Sequence, residues 1–162
     1  MLPRPKEVPQ PYAYISEPLT GRQDIEAIKA YCYKMAGVCQ VTGLYPYLPF
    51  EHSDPVKHAN VSAQEIFEAD KAMTQGAAAV IFYLPGDPAG SFGVGGEMVI
   101  AAAANRPIAM MIRQKTTLSP FELGFLDIEV RQAQRGPVIE FDSSTERQAL
   151  TSLAQFLQTV LK

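Results

Sequence analysis

The sequence contains few residues that form disulfides or bind metal ions: two cysteines and two histidines among 162 residues. Cys32 and Cys39 lie on one predicted helix, about 10 Å apart, which is too far for a disulfide between them. Free thiols are typical of a reducing compartment, so we expect a cytoplasmic protein. His52 and His58 lie in a polar loop, and no Cys/His cluster accompanies them. We therefore expect no metal ion and no cofactor.

Positive charge is also scarce. Fourteen Lys and Arg residues against seventeen Asp and Glu residues give a formal net charge of −3. Nucleic-acid polymers and anionic membrane surfaces are bound by clustered Lys and Arg, so we expect neither as the main partner. The longest apolar runs, Ala77–Leu84 and Met98–Ala104, are shorter than the ~20 residues of a transmembrane helix. The N-terminus lacks the basic-then-apolar order of a signal peptide.

The length and the hydrophobic content fit one globular domain. The hydrophobic fraction is 47%, which is ordinary for globular proteins, and the length is close to that of a typical domain. Four prolines occur among the first eleven residues. They predict a stiffened tail over residues 1–11 that leads into a single domain over residues 12–162.

Apolar runs alternate with helix signals along the chain. Strands are predicted at residues 12–16, 44–50, 77–84, 108–112 and 137–141. Helices are predicted after Asp24, over residues 63–75, from near Glu97, and from about residue 146 to Leu161, while residues 114–136 are predicted to be irregular apart from a short helical piece at 120–126. This alternation predicts an α/β fold with three layers, in which a five-stranded parallel sheet carries helices on both faces, as in Rossmann-like and flavodoxin-like domains.

Local signals predict where the helices begin and end. Asp24 can cap the first helix, which ends at Gly37 or at Gly43. The runs 62–65 and 143–146 each place a serine three residues before a glutamate, which is the capping-box pattern.

The sequence also indicates where a ligand would bind. In parallel sheets, ligands bind beyond the carboxyl ends of the strands, here the segments 16–22, 50–53 and 85–97. The third segment is rich in glycine and leads into a helix N-terminus, where free N–H groups favour a phosphate or another anion. The dinucleotide-binding fingerprint is absent, because it belongs after the first strand.

Two acids near this edge are candidates for chemistry. Glu97 is predicted in the first turn of the helix after the glycine-rich turn, where a favourable interaction with the helix dipole would also explain it. Asp70 lies on the second helix among Ile66, Phe67 and Met73, and a partly buried Asp requires partners or a chemical role.

The run Ser91–Met98 (SFGVGGEM) resembles the S-x-GVG-x-E-hydrophobic turn of the nucleoside 2-deoxyribosyltransferase-like superfamily, especially its nucleoside 5'-monophosphate N-glycosidases. Ile66–Asp70 resembles the I-x-E-x-D helix of that superfamily, and Glu51-His52 resembles its E-H pair. Tyr14–Ser16 matches the aromatic start of the first strand, and Leu118-Ser119 matches a serine in the later irregular segment. The resemblance covers Tyr12 to about Phe141 in the same order.

The resemblance implies a retaining attack on the C1'–N bond of a nucleoside or nucleotide, with free base as product. Glu97 would be the nucleophile that forms a glycosyl-enzyme ester. Asp70 would hydrogen-bond the sugar or help to protonate the leaving base, and Tyr14 would position Glu97. Ser91 and the N–H groups of Gly93 and Gly95 would hold a 5'-phosphate. As further substrate or phosphate contacts we expect Ser16, Thr20, Gly21 and His52.

The resemblance also implies that Ser119 reaches across a subunit interface, so that the working unit is a homodimer or a higher homo-oligomer with shared sites. The chain departs from the pattern in the first loop, where Glu17, Pro18 and Thr20 replace a glycine, a serine and an arginine. Losing the arginine removes a bidentate phosphate clamp, for which Arg22 or His52 could compensate.

Two other functions remain open at this point, and a third does not fit the sequence. A transferase would pass the sugar to another base, and a non-catalytic module would bind a nucleotide as a sensor. A cytokinin-activating phosphoribohydrolase has a PGG-x-GT-x-x-E signature that GSFGVGGE does not match.

Overall fold

The computed structural model describes residues 2–54 and 60–162. Within them, five strands form one parallel sheet in the order β2-β1-β3-β4-β5. The strands are β1 (Tyr12–Ser16), β2 (Tyr45–Tyr47), β3 (Ala79–Leu84), β4 (Ile108–Arg113) and β5 (Val138–Phe141). The five-stranded parallel sheet confirms the prediction, and its strand order, which is that of doubly wound folds, places the carboxyl ends of β1 and β3 side by side.

Helices cover both faces of the sheet, which confirms the predicted three layers. In the described chain they are α1 (Ile25–Thr42), α2 (Phe50–Ser53), α3 (Ala63–Gly76), α4 (Phe92–Ala103), α5 (Pro120–Phe125) and α6 (Glu146–Val160). A 3₁₀ turn (Pro5–Glu7) precedes β1, and a π-helix (Leu126–Gln132) continues α5. Within the described residues, no helix is long and apolar enough to cross a membrane.

Two apolar cores separate the layers. One core lies between the sheet and the helices α1 and α6, and it includes Cys32 and Cys39. Both cysteines are free, and burial raises the pKa of Cys39 to about 12. The other core lies between the opposite face of the sheet and α3, α4 and the π-helix, and Val8 from the proline-rich segment is buried in it.

The second strand is shorter than predicted. The run 44–50 provides only three strand residues, and α2 begins at Phe50. Pro46 has no N–H for a ladder hydrogen bond, and the strand tolerates it because β2 lies at the edge of the sheet and pairs only with β1 in the described structure.

Two predicted irregular regions are helical. Helix α4 begins at Phe92, five residues before the predicted start at Glu97, so part of the glycine-rich run is helix rather than turn. In the segment 114–136, α5 confirms the short helical piece predicted at 120–126, whereas the π-helix that follows as far as Gln132 was predicted to be irregular.

The helix ends show which capping predictions were correct. Ser62 and Glu65 form the predicted capping box at α3, and Gly43, with φ of 92°, ends α1. The predicted box at residues 143–146 does not form. The Asp142 carboxylate accepts hydrogen bonds from the N–H groups of Ser144 and Thr145, and this turn replaces the box.

At the start of α1, the side chain of Asp24 does not cap the helix. Both of its carboxylate oxygens accept hydrogen bonds from Arg22, at 2.7 Å each, so they are not available to the helix N–H groups.

We predict that Gly136→Ala destabilises the fold. A Cβ at this position would lie 2.0 Å from the carbonyl oxygen of Ile108 and 2.8 Å from the ring of Phe156. Because the first of these is strand backbone, the chain must shift, at a cost of about 1–3 kcal/mol in the free energy of unfolding. Gly37→Ala, on α1 with no heavy atom within 4 Å of the new Cβ, should stabilise the protein by up to ~1 kcal/mol. Urea denaturation of both variants checks the prediction, and equal stabilities would contradict it.

Candidate active site

The carboxylate of Glu97 is held by two hydroxyl groups of β1. The Tyr14 hydroxyl donates to Oε1 at 2.8 Å, and the Ser16 hydroxyl donates to Oε2. Tyr14 and Ser16 are two residues apart on one strand, so their side chains point to the same face of the sheet. The nucleophile candidate thus lies at the carboxyl edge, where the topology predicts a ligand.

Helix α4 brings Glu97 to this position. Ser91 is the N-cap, and its hydroxyl accepts a hydrogen bond from the N–H of Val94 at 3.3 Å. Val94, Met98 and Ala101 form the buried stripe of α4 against the sheet. Glu97 precedes Met98, and its side chain reaches the end of β1.

The helix dipole does not explain the presence of Glu97. Because α4 begins at Phe92, Glu97 lies in the second turn rather than the first. The favourable dipole interaction falls off within the first turn. The helix dipole, which the sequence offered as an alternative explanation, therefore does not account for Glu97. The hydrogen bonds from Tyr14 and Ser16 do account for its position.

The pKa of Glu97 is raised to about 7, mainly because burial penalises its charged form. The hydrogen bonds from Ser16 and Tyr14 lower this pKa, and the nearby charge of Asp70 raises it. Glu97 therefore changes its protonation state close to neutral pH, where a reacting carboxyl is most useful.

Asp70 is the second carboxyl of the cluster. It lies on α3, and burial raises its pKa to about 6, while a hydrogen bond with Tyr14 lowers it. The pKa of Tyr14 is raised well above 10.0 by burial and by Glu97 and Asp70. Tyr14 therefore stays protonated and can serve as a donor between the two acids.

Glu17 is a third carboxyl at the same edge. Its Oε2 atom is buried and has no hydrogen-bond partner among the described residues. Burial raises its pKa well above 4.5, and the charges of Glu97 and Asp70 raise it further. Glu17, which departs from the pattern of the superfamily, therefore interacts electrostatically with the predicted catalytic residues Asp70 and Glu97.

Among the described residues, none of the first loop after Ser16 donates a hydrogen bond to Glu97. Thr20 and Gly21 lie exposed at the loop tip, and Gly21 adopts a φ of 75°. Arg22, with a side chain only 4% exposed, binds Asp24 and the carbonyl oxygens of Gly86 and Pro88. Its guanidinium holds the loop against the glycine-rich turn, so it is committed to that contact rather than to a phosphate.

His52 belongs to an aromatic stack behind Tyr14. Its ring lies 4.9 Å from that of Tyr47 at an interplanar angle of 10°, and Tyr47 stacks on Tyr14 at 5.7 Å. The stack restricts the position of the Tyr14 ring from the side of Tyr47. The other histidine, His58, lies outside the described residues.

Part of the predicted phosphate set lines a cleft of about 690 Å³ between the glycine-rich turn and the start of α5, but Gly93 and Glu97 are not among its lining residues. Ser91, Gly95 and Ser119 of the same chain lie in its wall. The N–H of Gly95 donates to the carbonyl oxygen of Ser91 within the helix, which leaves the N–H of Gly93, in the first turn, as the one suited to an anion. Ser119 caps α5, where its hydroxyl accepts from the N–H of Glu122.

The arrangement provides acid–base and nucleophilic chemistry from carboxyl groups. Burial raises the pKa of Glu17, Asp70 and Glu97 alike, and neighbouring carboxyl groups with perturbed pKa values mark candidate acids and bases. Among residues 2–54 and 60–162, no three His, Cys, Asp or Glu side chains are grouped as metal ligands.

Sequence reasoning missed the specific partner of Ser16. We expected Ser16 among the substrate contacts, whereas in the structure it binds Glu97. The two-residue spacing from Tyr14 carried that information, because both side chains had to face α4. The capping box of Ser119 and the buried Glu122 was also missed, although the sequence places this serine three residues before this glutamate, the spacing seen at α3.

Comparisons with known proteins agree with this fold. The family model for nucleoside 2-deoxyribosyltransferase matches residues 13–148. No curated protein matches the chain significantly.

Several solved structures resemble the chain at low sequence identity. The CMP N-glycosidase BcmB from Clostridium botulinum superposes with a TM-score of 0.63 at 15% identity, covering 90% of this chain and 98% of that one. A conserved protein from Enterococcus faecalis V583 gives 0.65 at 18% identity, covering 89% and 97%. The solution structure of BlsM gives 0.56 at 13% identity, covering 93% and 91%. At these identities the likeness establishes the fold.

We predict that Glu97→Gln makes the protein more stable at pH 8. The pKa of Glu97 is 4.5 when unperturbed and about 7 in the fold, so between these values the folded state holds a proton that the unfolded state releases. The free energy of unfolding therefore falls as pH rises through this window, by on the order of 2–3 kcal/mol from this residue. Glutamine removes that contribution.

Urea denaturation between pH 4 and pH 8 measures the effect. Glu140→Gln, at an exposed carboxyl on β5, controls for the loss of one carboxyl from the chain. Wild type and Glu97→Gln with parallel stability curves across this window would contradict the prediction.

Proposed function

Since the chain belongs to the nucleoside 2-deoxyribosyltransferase family, we propose that it is an N-glycosidase that cleaves the C1'–N bond of a nucleoside 5'-monophosphate or nucleoside. The observation that carries this proposal is the pair of hydrogen bonds from Tyr14 and Ser16 to the buried carboxylate of Glu97. They fix both oxygens of the group at the ligand-binding edge of the sheet.

In the proposed reaction, one carboxylate oxygen of Glu97 attacks C1' and forms an ester with the sugar. The electron pair of the C1'–N bond leaves with the base, which takes up a proton. Water then attacks C1', loses a proton and releases the sugar, and Glu97 returns as a carboxylate. Two displacements preserve the configuration at C1'.

The neighbouring residues have distinct roles in this scheme. Tyr14 and Ser16 position Glu97 and, through their hydrogen bonds, lower its pKa and increase its charged fraction. Asp70, with a pKa of about 6, either hydrogen-bonds the sugar or protonates the leaving base. Both tasks suit a carboxyl that titrates near neutral pH.

A 5'-phosphate would bind at the start of α4. The Ser91 hydroxyl accepts one hydrogen bond from the helix and can still donate its proton, and the N–H of Gly93 lies in the first turn. Helix N-termini of this kind bind phosphate without a basic side chain. This cradle favours hydrolysis of a monophosphate over transfer between nucleosides.

We also propose a homo-oligomer in which Ser119 completes the site of a neighbouring subunit. Exposed apolar side chains lie beside Ser119: Phe121, Ile128 and Val99 are 52%, 57% and 53% exposed. They border a groove of about 610 Å³ between α4 and the α5 region. Exposed apolar patches of this kind mark interaction surfaces.

We expect wild-type protein to release free base from at least one member of a panel of ribo- and deoxyribonucleosides and their 5'-monophosphates, measured by chromatography. Glu97→Ala should reduce the rate by roughly 10³-fold or more, because the nucleophile is lost. Glu140→Ala, which removes an exposed carboxyl, is the matched control. Adding a second base to the assay distinguishes transfer, which yields a new nucleoside, from hydrolysis.

Two results would overturn this function. If wild type binds members of the panel but releases no base, the chain is a binding module. If Glu97→Ala keeps wild-type activity, the nucleophile lies elsewhere.

We expect mixed oligomers to regain activity if sites are shared. Ser119→Ala should lower activity on monophosphates, and Glu97→Ala should abolish it. A mixture co-refolded from both variants contains sites with Glu97 from one chain and Ser119 from the other, so its activity should exceed the sum of the two separate preparations. Light scattering gives the molar mass. Strictly additive activity, or a monomer, would refute the shared site.

A further inference from the structure

At the ligand-binding edge of the sheet, the carboxyl group of Glu17 has one oxygen without a hydrogen-bond partner among the described residues. The side-chain atom Oε2 is buried, with less than 1 Å² exposed, and no described residue donates to it. Glu17 directly follows Ser16, the residue that binds Glu97, and it precedes the buried Pro18. Proline restricts the residue before it to extended backbone, which limits where the Glu17 side chain can go.

The groups that face Glu17 come from every element around it. Glu97 on α4 and Asp70 on α3 raise its pKa by their negative charge, and Lys29 on α1 lowers it. Lys29 is already paired with Asp54, with Nζ and Oδ2 3.2 Å apart. Cys32 on α1 is also close enough for Glu17 to raise the pKa of its thiol. The local charge is therefore dominated by acids, which together with burial favours the protonated form of Glu17.

The fold gives no structural reason for a carboxyl at this position. A buried polar group without a partner destabilises the folded state, whereas an apolar side chain of the same length would cost nothing of this kind. An unpaired buried carboxyl beside other acids with raised pKa values is a candidate functional group.

We propose that Glu17 contacts the substrate and donates a hydrogen bond from its protonated carboxyl to an acceptor atom of the bound nucleoside or nucleotide. The inference rests on the proposed function, because it takes the ligand to lie against Glu97. It adds a substrate-recognition residue to the site, and the recognised feature is a hydrogen-bond acceptor on the sugar, the phosphate or the base.

This role removes an apparent conflict in the sequence. A negatively charged Glu17 would repel a 5'-phosphate, and on that ground the first loop looks unsuited to monophosphates. A protonated carboxyl carries no charge and donates a hydrogen bond. It is therefore compatible with an anionic ligand as well as with a neutral one.

The test compares two variants of similar side-chain length. Glu17→Gln keeps a donor, whereas Glu17→Met removes donor and acceptor and fills the space. We expect Glu17→Met to raise the free energy of unfolding but to lower kcat/KM by roughly 10- to 100-fold. Glu17→Gln should keep kcat/KM within about threefold of wild type. Substrate binding by wild type should weaken as pH rises and Glu17 ionises, and binding by Glu17→Gln should lack that dependence.

The same variants in the Glu97→Ala background separate this inference from the proposed reaction. There, equilibrium binding of the panel nucleosides and monophosphates is measured by calorimetry, without turnover. Weaker binding by the Met variant and unchanged binding by the Gln variant support the contact even if wild type releases no base. Equal binding by all three proteins, or equal losses for Met and Gln in folded protein, overturns it.

Discussion

The desolvated carboxylate of Glu97 is the feature on which the rest of the site depends. A buried charge must be compensated, and here the compensation comes from two hydroxyls on one strand, Tyr14 and Ser16. That arrangement requires β1 to lie next to β3 in the middle of the sheet, so that the helix after β3 passes over the end of β1. It also involves the start of α4 at Phe92, which places Glu97 in the second turn, next to the buried Met98. The position of the Glu97 carboxylate therefore depends jointly on the strand order, on the start of α4 and on the two hydrogen bonds.

The site combines three acids where one would be easier to accommodate. Burial raises all three pKa values, and neighbouring acids raise those of Glu17 and Glu97 further. Protons bound by the folded state in this way are bound at the expense of stability as pH rises. Asp70 and Glu97 share contact with Tyr14, so they titrate as a coupled set rather than as independent groups. The large cores on both faces of the sheet offset this cost, which is how a small domain can maintain a strained cluster of acids.

Much of the architecture was predictable because it follows from local patterns. The apolar run before Leu84, the alternation of strands and helices and the serine–glutamate pair at α3 each specify one element, and the parallel sheet follows from their order. The resemblance added the pairing of Glu97 with Tyr14. The start of α4 was not predictable in the same way: glycines at 93, 95 and 96 indicate a loop, and only the packing of Val94 and Met98 against the sheet makes them helical. The turn at Asp142 and the binding of Asp24 by Arg22 were not predictable either. In both places several nearby groups could form the hydrogen bonds, and the sequence pattern does not show which of them do.

The first loop shows how this chain differs from the pattern it resembles without losing the fold. Its backbone is fixed at both ends, by β1 pairing on one side and by Arg22, which ties it to the carbonyl oxygens of Gly86 and Pro88, on the other. Between these anchors the side chain at residue 17 can change without moving Tyr14 or Ser16. An acid there alters how many protons the cleft holds at neutral pH, and therefore what it can donate to a ligand, while the geometry around Glu97 stays the same. In the function we propose, substrate recognition can change at residue 17 because the position of Glu97 is determined elsewhere.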